Sequence, residues 1–336
     1  DYTGGGCPHI LAEPQRTNLL TYSEDFSQSF WTKSSVTLTT GFVSPDGTTN
    51  ASKLVSTGAD GSMQNSYTVS SGTTYTISVY LKTVSGTLDT TIGLGSPGFP
   101  QNEGTGGRYK NITVTNEWQR YSLTSTADAS AASGVGFGGF SGFSTGEEVL
   151  IWGIQLEESA YPTSYIPTSG SSVTRNQDIF TRDGIGSLIN STEGVLFTEI
   201  AALYDDGVGK YYSLSDGTSS NRIRIGYSLT DNSIRALVIS QGTNVFDYTH
   251  TISNIELFSK IALSYKQDDF SFWIDGVEVH TDTSGNTPTA LSRLAFDNGS
   301  GGDKLFAKVK QLQVYDTALT DNQLIQLTGE AGTHFF

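Results

Sequence analysis

A chain of 336 residues exceeds the roughly 250–300 at which a single hydrophobic core stops growing, so two domains are expected. Thr, Ser and Gly dominate while charged residues make up only 16%, which favours strands and turns over helices. The formal charge of −15, divided as 7 basic against 14 acidic residues up to Gly170 and 12 against 20 after it, excludes a basic stripe for nucleic acid and disfavours acidic polysaccharide except where basic side chains concentrate locally.

Cys7 is the only cysteine, which excludes an intrachain disulfide and a Cys-rich zinc site. No apolar run reaches the roughly 18–20 residues that a membrane-spanning helix needs. The opening Asp1–Pro8 lacks an initiating methionine and reads as the interior of a longer chain. Residues 1–17 are expected to be an extended segment.

Along residues 18–160, short strands are expected at Ser35–Thr39, Ala51–Val55, Met63–Val69, Tyr75–Lys82, Asp89–Leu94, Asn111–Val114, Gln119–Ser125, Val135–Phe140 and Leu150–Glu157, separated by Gly, Ser, Asp and Asn clusters. The clearest is Tyr75–Lys82, where Tyr75, Ile77, Val79 and Leu81 alternate with Thr76, Ser78, Tyr80 and Lys82, the period of two that places one face on a core. In the run from Gly136 to Phe143, Phe137 and Phe143 have even spacing and Phe140 does not, so a regular strand cannot bury all three. Phe99 and Tyr109 fall in a Gly- and Pro-rich stretch of the kind whose tips carry recognition. Trp31, Trp118 and Trp152 are expected in the core.

Residues 161–187 hold Pro162, Pro167 and a Ser/Gly run, which break strand pairing and read as a linker. A second domain is expected over 188–330, with strands at Leu196–Leu203, Tyr211–Ser215, Arg222–Leu229, Ser233–Ile239, Val245–His250, Phe258–Tyr265, Phe270–Ile274, Val277–Thr281, Leu291–Ala295 and Ala307–Tyr315, and a short tail at 331–336. Asp275-Gly276 between two of these strands predicts a type I′ hairpin, which needs positive φ at both central residues.

Two resemblances follow. The order Asn18-Leu19-Leu20, Phe30-Trp31, Tyr75–Lys82, Trp118-Gln119-Arg120-Tyr121 and Ile151–Glu157 resembles a jelly-roll carbohydrate-binding module. With Leu11–Thr17 ahead of it and Tyr161–Gly170 behind, it is similar to the version embedded in structural proteins of tailed bacteriophages. Lys260–Tyr265, the Phe272–Glu278 hairpin and Val309–Thr320 resemble the concanavalin A-like, laminin-G-like family. The implied fold is all-β: two β-sandwich (jelly-roll) domains in series, the second concanavalin A-like, with a short helix after the last strand for which Thr320 fits as the N-cap.

Catalysis finds no motif. The Glu-x-Asp-x-Glu type of strand used by laminarinase-type relatives is missing, and Glu147-Glu148, Glu157-Glu158, Asp205-Asp206 and Asp268-Asp269 are sequence neighbours whose side chains diverge within a strand. These read as solvated turn or strand-end acids. The four histidines lack metal-ligand spacing, and there is no Gly-x-Ser-x-Gly elbow. The protein is therefore expected not to be an enzyme. Sugar binding needs a flat aromatic face and a few polar groups. Alternation puts Arg222, Arg224 and Gly226 on one face of their strand, and turns Trp273 away from the apolar set Phe270, Phe272 and Ile274. If the two strands share a sheet, Trp273, Arg222 and Arg224 form an outward patch for a sugar or an acidic glycan, with Phe99 and Tyr109 as further candidates. Otherwise Trp273 covers the hairpin and the arginines pair with nearby acids.

The family resemblances imply a structural Ca²⁺, for which Asp205-Asp206, Asp216, Asp231-Asn232 and Asp297-Asn298 supply oxygens without any fixed loop spacing. They also imply a virion-surface protein that contacts host or environmental glycans and other virion proteins, as a homo-oligomer and by analogy a trimer. Two other readings stand beside this one: a binding appendage of a secreted polysaccharide-degrading enzyme, and an architectural spacer that binds no sugar.

Overall fold

The computed structural model describes residues 9–140 and 143–329. The chain divides into two compact units, Gln15–Asn176 and the described parts of Asp1–Pro14 with Gln177–Phe336, here called the N-terminal and C-terminal sandwiches. Both are antiparallel β throughout. The expected tail at 331–336 and the first eight residues lie outside the described residues.

In chain order the strands are β1 (Ile10–Leu11), β2 (Arg16–Asn18), β3 (Thr32–Ser34), β4 (Val36–Phe42), β5 (Ala51–Ser56), β6 (Ser62–Val69), β7 (Thr74–Thr83), β8 (Leu88–Gly93), β9 (Tyr109–Val114), β10 (Gln119–Thr126), β11 (Ala131–Gly138), β12 (Glu148–Glu157) and β13 (Val173–Arg175). They continue with β14 (Thr181–Arg182), β15 (Glu193–Ala202), β16 (Lys210–Ser215), β17 (Arg222–Tyr227), β18 (Ser233–Ser240), β19 (Thr243–Thr251), β20 (Ser259–Lys266), β21 (Asp269–Ile274), β22 (Val277–Asp282), β23 (Arg293–Ala295) and β24 (Ala307–Tyr315), before helix α1 (Asp321–Thr328).

The N-terminal sandwich packs the sheet β10-β7-β12-β5-β4 with the sheet β3-β6-β11-β8-β9. Tyr75, Ile77, Val79 and Leu81 all enter its core, joined by Met63, Ile92, Val135, Phe137 and Ile151, as period-two alternation requires. Phe137 and Phe143 are buried together, with ring centroids 5.2 Å apart, and Phe140 is left half-buried outside. Trp31 is core, but Trp118 is only half-buried. Trp152 lies on the outer face of β12, where Tyr165 covers it at 4.6 Å and its Nε1 donates to Asn50 Oδ1 at 2.8 Å.

The stretch expected as a linker is not a free spacer. Pro162 and Pro167 do keep it out of the sheets, yet Thr163, Ile166 and Thr168 are buried against the N-terminal sandwich. Arg120 donates to Thr163 O at 2.6 Å and to Ser78 Oγ at 2.8 Å. Farther on, β13 pairs with β2 in the register Val173↔Asn18 to Arg175↔Arg16. Proline removes ladder donors without preventing side-chain burial, so this run closes the domain it follows. Because the first and last strands of Gln15–Asn176 pair with each other, this segment expressed alone should unfold in one cooperative transition, whereas a segment ending at Gly170 should lose stability. A sloping, non-cooperative urea curve for residues 15–176 would show that the unit does not fold independently.

The C-terminal sandwich packs the sheet β1-β24-β15-β20-β21-β22 with the sheet β14-β23-β16-β17-β18-β19. The segment expected to be an extended leader contributes its edge: Ile10 pairs with Val309, Ala12 and Ala307 exchange backbone hydrogen bonds, and Ala12 is fully buried. The β21–β22 turn has the expected chemistry, with φ of 49° at Asp275 and 82° at Gly276. At the start of α1, Gln323 Oε1 accepts from Thr320 N at 2.9 Å and from Thr320 Oγ1 at 3.0 Å, fixing the N-terminus where it was expected. The helix buries Leu324 against Val195, Phe197, Ala262 and Trp273, a small apolar layer outside the main core.

Candidate functional site

The patch expected from Trp273, Arg222 and Arg224 does not form. Trp273 does point away from the main core, but α1 lies over it and leaves it 4% exposed, with its Nε1 donating to Ser271 Oγ at 3.0 Å. Its strand β21 belongs to one sheet and the arginine strand β17 to the other. Phe99 is also withdrawn: its loop folds inward, and the ring is buried with its centroid 6.0 Å from that of Tyr75. Tyr109 is the aromatic candidate that reaches a surface.

Tyr109 stands at one side of a glycine-floored cleft on the outer face of the N-terminal sandwich. Register places Tyr109 opposite Gly93, Gly93 opposite Gly136, Gly136 opposite Gln64, and Gly134 opposite Ser66, so the two central strands of these four, β8 and β11, present glycine where a side chain would otherwise stand. A Cβ at Gly93 would lie 2.5 Å from the Phe140 ring, one at Gly134 would lie 2.5 Å from Gln64 Oε1, and one at Gly95 would strike the Gly134 backbone at 2.5 Å. At Gly95, where φ is 73°, only glycine fits, whereas a side chain at Gly93 or Gly134 would have to displace the Phe140 ring or the Gln64 amide. The resulting cleft, about 390 Å³, is lined by Thr32, Gln64, Ser66, Gly95, Ser96, Ala132, Gly134 and Phe140.

One wall is an aromatic and cationic stack. The Tyr109 and Phe140 rings lie parallel within 14° at 4.8 Å, and the Arg108 guanidinium carbon lies 5.4 Å from the Phe140 centroid. Arg108 donates to Gln101 Oε1, whose amide in turn donates to Ser96 Oγ at 3.1 Å. A chain of polar contacts thus fixes the stack to the rim. Among the described residues, hydroxyls, an amide and an aromatic ring line the cleft, groups suited to hydrogen bonding and stacking. The odd spacing of Phe140 was the sequence signal for this wall. Gln64, Ser66 and the glycine floor escaped because they converge only through strand register.

In the C-terminal sandwich, Arg222 and Arg224 do share the face opposite the core, since Ile223 and Ile225, which alternate with them, are fully buried. Arg235 joins them from β18. Arg222 Nη1 donates to Asn298 O at 2.8 Å, and Arg235 forms a two-bond pair with Asp247 at 2.7 and 2.6 Å. That hydrogen-bonded pairing holds Arg235 above the ordinary arginine range, whereas burial holds Arg224 below it.

The acidic pairs have local structural roles. Glu157 is fully buried, contrary to the solvated reading, and its carboxylate accepts from Thr163 N at 3.1 Å and from Thr163 Oγ1. Asp205 accepts from Asn232 N at 2.6 Å, Asp206 pairs with Lys210, and Asp268 accepts from Gly285 N at 2.9 Å. The donors considered for Ca²⁺ do not suit a carboxylate-built site: among the described residues no three His, Cys, Asp or Glu side chains gather, and Asp297 already accepts from Gly299 N at 2.7 Å and Arg293 at 2.8 Å.

No protein-family model matches the sequence, and no curated protein is similar to it. Among solved structures, the NanB sialidase of Streptococcus pneumoniae is similar over 45% of this chain and 27% of its own, at 13% identity and a TM-score of 0.37. The CBM40 domain of a Ruminococcus gnavus sialidase matches over 45% of this chain and 99% of its own, at 12% identity and 0.37. Domain 4 of a GH43 extracellular arabinanase from Geobacillus stearothermophilus, in complex with arabinotriose, matches over 46% and 83%, at 16% identity and 0.35. The matched region thus spans about a quarter of the sialidase chain.

Proposed function

We propose that the protein is a non-catalytic glycan-binding element of a bacteriophage virion surface, and that the glycine-floored cleft of its N-terminal sandwich takes a neutral sugar. The observation that carries the glycan reading is the Tyr109–Phe140 stack, whose Phe140 ring lies against Gly93, at the wall of a cleft that Gly95 and Gly134 help to line. Glycines let a ring lie close to the sheet, an aromatic face covers the apolar C–H side of a pyranose, and Gln64, Ser66, Ser96 and Thr32 meet its hydroxyls.

The virion setting rests on the sequence resemblance at Leu11–Thr17 and Tyr161–Gly170. It brings with it a homo-oligomer, taken as a trimer, and contact with other virion proteins. Repeated copies convert a weak single-site affinity into firm attachment through effective concentration.

Phe140→Ala should lower affinity for extracted surface polysaccharide about tenfold or more while leaving the melting temperature close to that of the parent, because the ring is half-buried and outside the core. Glycan-array binding and mass measured on the same sample test both parts. Unchanged binding by the variant would remove the cleft from the function. Binding by a monomer would favour an appendage of a polysaccharide-degrading enzyme, and oligomers that bind no sugar would favour an architectural spacer.

A further inference from the structure

Arg224 is placed as arginine seldom is. It is 8% exposed, its guanidinium carbon lies 4.1 Å from the Tyr211 ring centroid, and its Nε is buried with no acceptor among the described residues. The Asp303 carboxylate stands 4.0 Å from Nη1, outside hydrogen-bond range. On the neighbouring strand, Ser213 Oγ faces the same side, fully buried and equally without a partner, as is Arg222 Nε. Buried arginines normally satisfy their planar fork of donors, because an unpaired buried charge costs several kcal/mol. Here the fork is held in place by stacking and lacks its acceptor.

We infer that this face of β16, β17 and β18 is a binding site for the carboxylate of an acidic saccharide, with Arg224 as its central donor. Arginine presents two parallel N–H groups that match a planar carboxylate. On this face Arg235 is paired with Asp247 and Arg293 with Asp183 and Asp297, which leaves Arg222 and Arg224 with Asp303 as the acid beside them. This cluster is the local concentration of basic side chains that lets an otherwise acidic chain attract an acidic sugar. Asp303, with its side chain 53% exposed, is the group that an incoming carboxylate displaces. The choice of a saccharide as the carrier rests on the glycan-binding reading above, while the carboxylate chemistry stands on the arginines.

Titration calorimetry of the full chain with trigalacturonate and with its methyl ester tests the assignment. The acid should bind at least about tenfold tighter than the ester, and more weakly as salt is raised. Arg224→Met should lose the acid's advantage while its melting temperature stays level or rises, since a desolvated charge is replaced by an apolar chain of similar length. Asp303→Asn, which keeps a side chain that tolerates the φ of 43° at that position, should bind the acid more tightly because it removes the competing carboxylate. Phe140→Ala should change neither result; if it also left neutral-sugar binding intact, the cleft would fail while this site stood. Equal binding of acid and ester, undiminished binding by Arg224→Met, or weaker binding by Asp303→Asn would each overturn the proposal.

Discussion

Replacing Trp273 by alanine should lower the stability of the C-terminal sandwich by about 3–5 kcal/mol and leave glycan affinity where it was. The indole is 4% exposed, packed with Val195, Phe197, Ala262 and Leu324, and it is the largest side chain between α1 and the sheet beneath it. The helix has eight residues, too few to persist by itself in water, so its docking depends on this layer. Two contacts at its end depend on the same docking: Gly276 N donates to Thr328 Oγ1 at 3.1 Å and Lys260 Nζ to Gly329 O at 2.7 Å. Since domains are stable by only about 5–15 kcal/mol, the loss should be obvious in a urea midpoint. The opposite result, an unchanged midpoint with lost sugar binding, would return Trp273 to a recognition surface.

Alternation told correctly which way Trp273 points, and register-free pattern could go no further. That Phe270, Phe272 and Ile274 face the core leaves Trp273 on the other side, but what covers that side depends on where α1 returns after β24. The helix itself was implied by the family resemblance, with Thr320 fitting its N-cap; its docking place was not. The same limit explains the sheet assignment. Strands β17 and β21 both alternate cleanly, yet membership in opposite sheets is set by pairing partners far away in sequence, so one proposed patch became two unrelated environments.

Loops and breakers misled for a different reason. Phe99 in a Gly- and Pro-rich stretch looks like a loop tip, but loop composition reports backbone freedom and not the direction of a side chain, and this ring packs against Tyr75. Pro162 and Pro167 do mark a run without strand pairing, yet Thr163, Ile166 and Thr168 between and after them are buried. The N-terminal run was still less legible, because Ile10-Leu11 is too short to carry a period and is fixed only by pairing with β24. By contrast Asp275-Gly276, whose chemistry is entirely local, was read directly. The glycine floor sits between these cases: Gly134 and Gly136 stand at alternate positions in the sequence, but their meeting with Gly93 and Gln64 needed the register of three strands.

Asn18 is the position where a single polar substitution should do most damage to the N-terminal sandwich. Its side chain is fully buried; Nδ2 donates to Ile166 O at 2.9 Å and Ile154 O at 3.3 Å, and Oδ1 accepts from Leu20 N and Leu156 N at 3.2 Å each. One amide therefore satisfies backbone groups on the chain after β2, on β12, and on the Pro-bounded run that covers the outer face. Asn18→Leu keeps the number and branching of the side-chain heavy atoms and strands those groups, at about 1–3 kcal/mol for each that water cannot reach, so a loss of about 4 kcal/mol or more is expected. Hydrogen exchange should show it first at Ile166 and Leu156, before Ile77 and Val79 in the core. Asn18→Asp separates the donor from the acceptor role, because the carboxylate still accepts but no longer donates to Ile154 and Ile166. Burial raises the folded-state pKa of such a carboxyl above its unfolded value near 3.9. The variant should consequently be most stable below that unfolded value, where the protonated acid can donate, and should weaken as pH rises through the folded pKa. Parent-like stability of both variants at every pH would mean that the hydrogen bonds of the amide carry little of the stability.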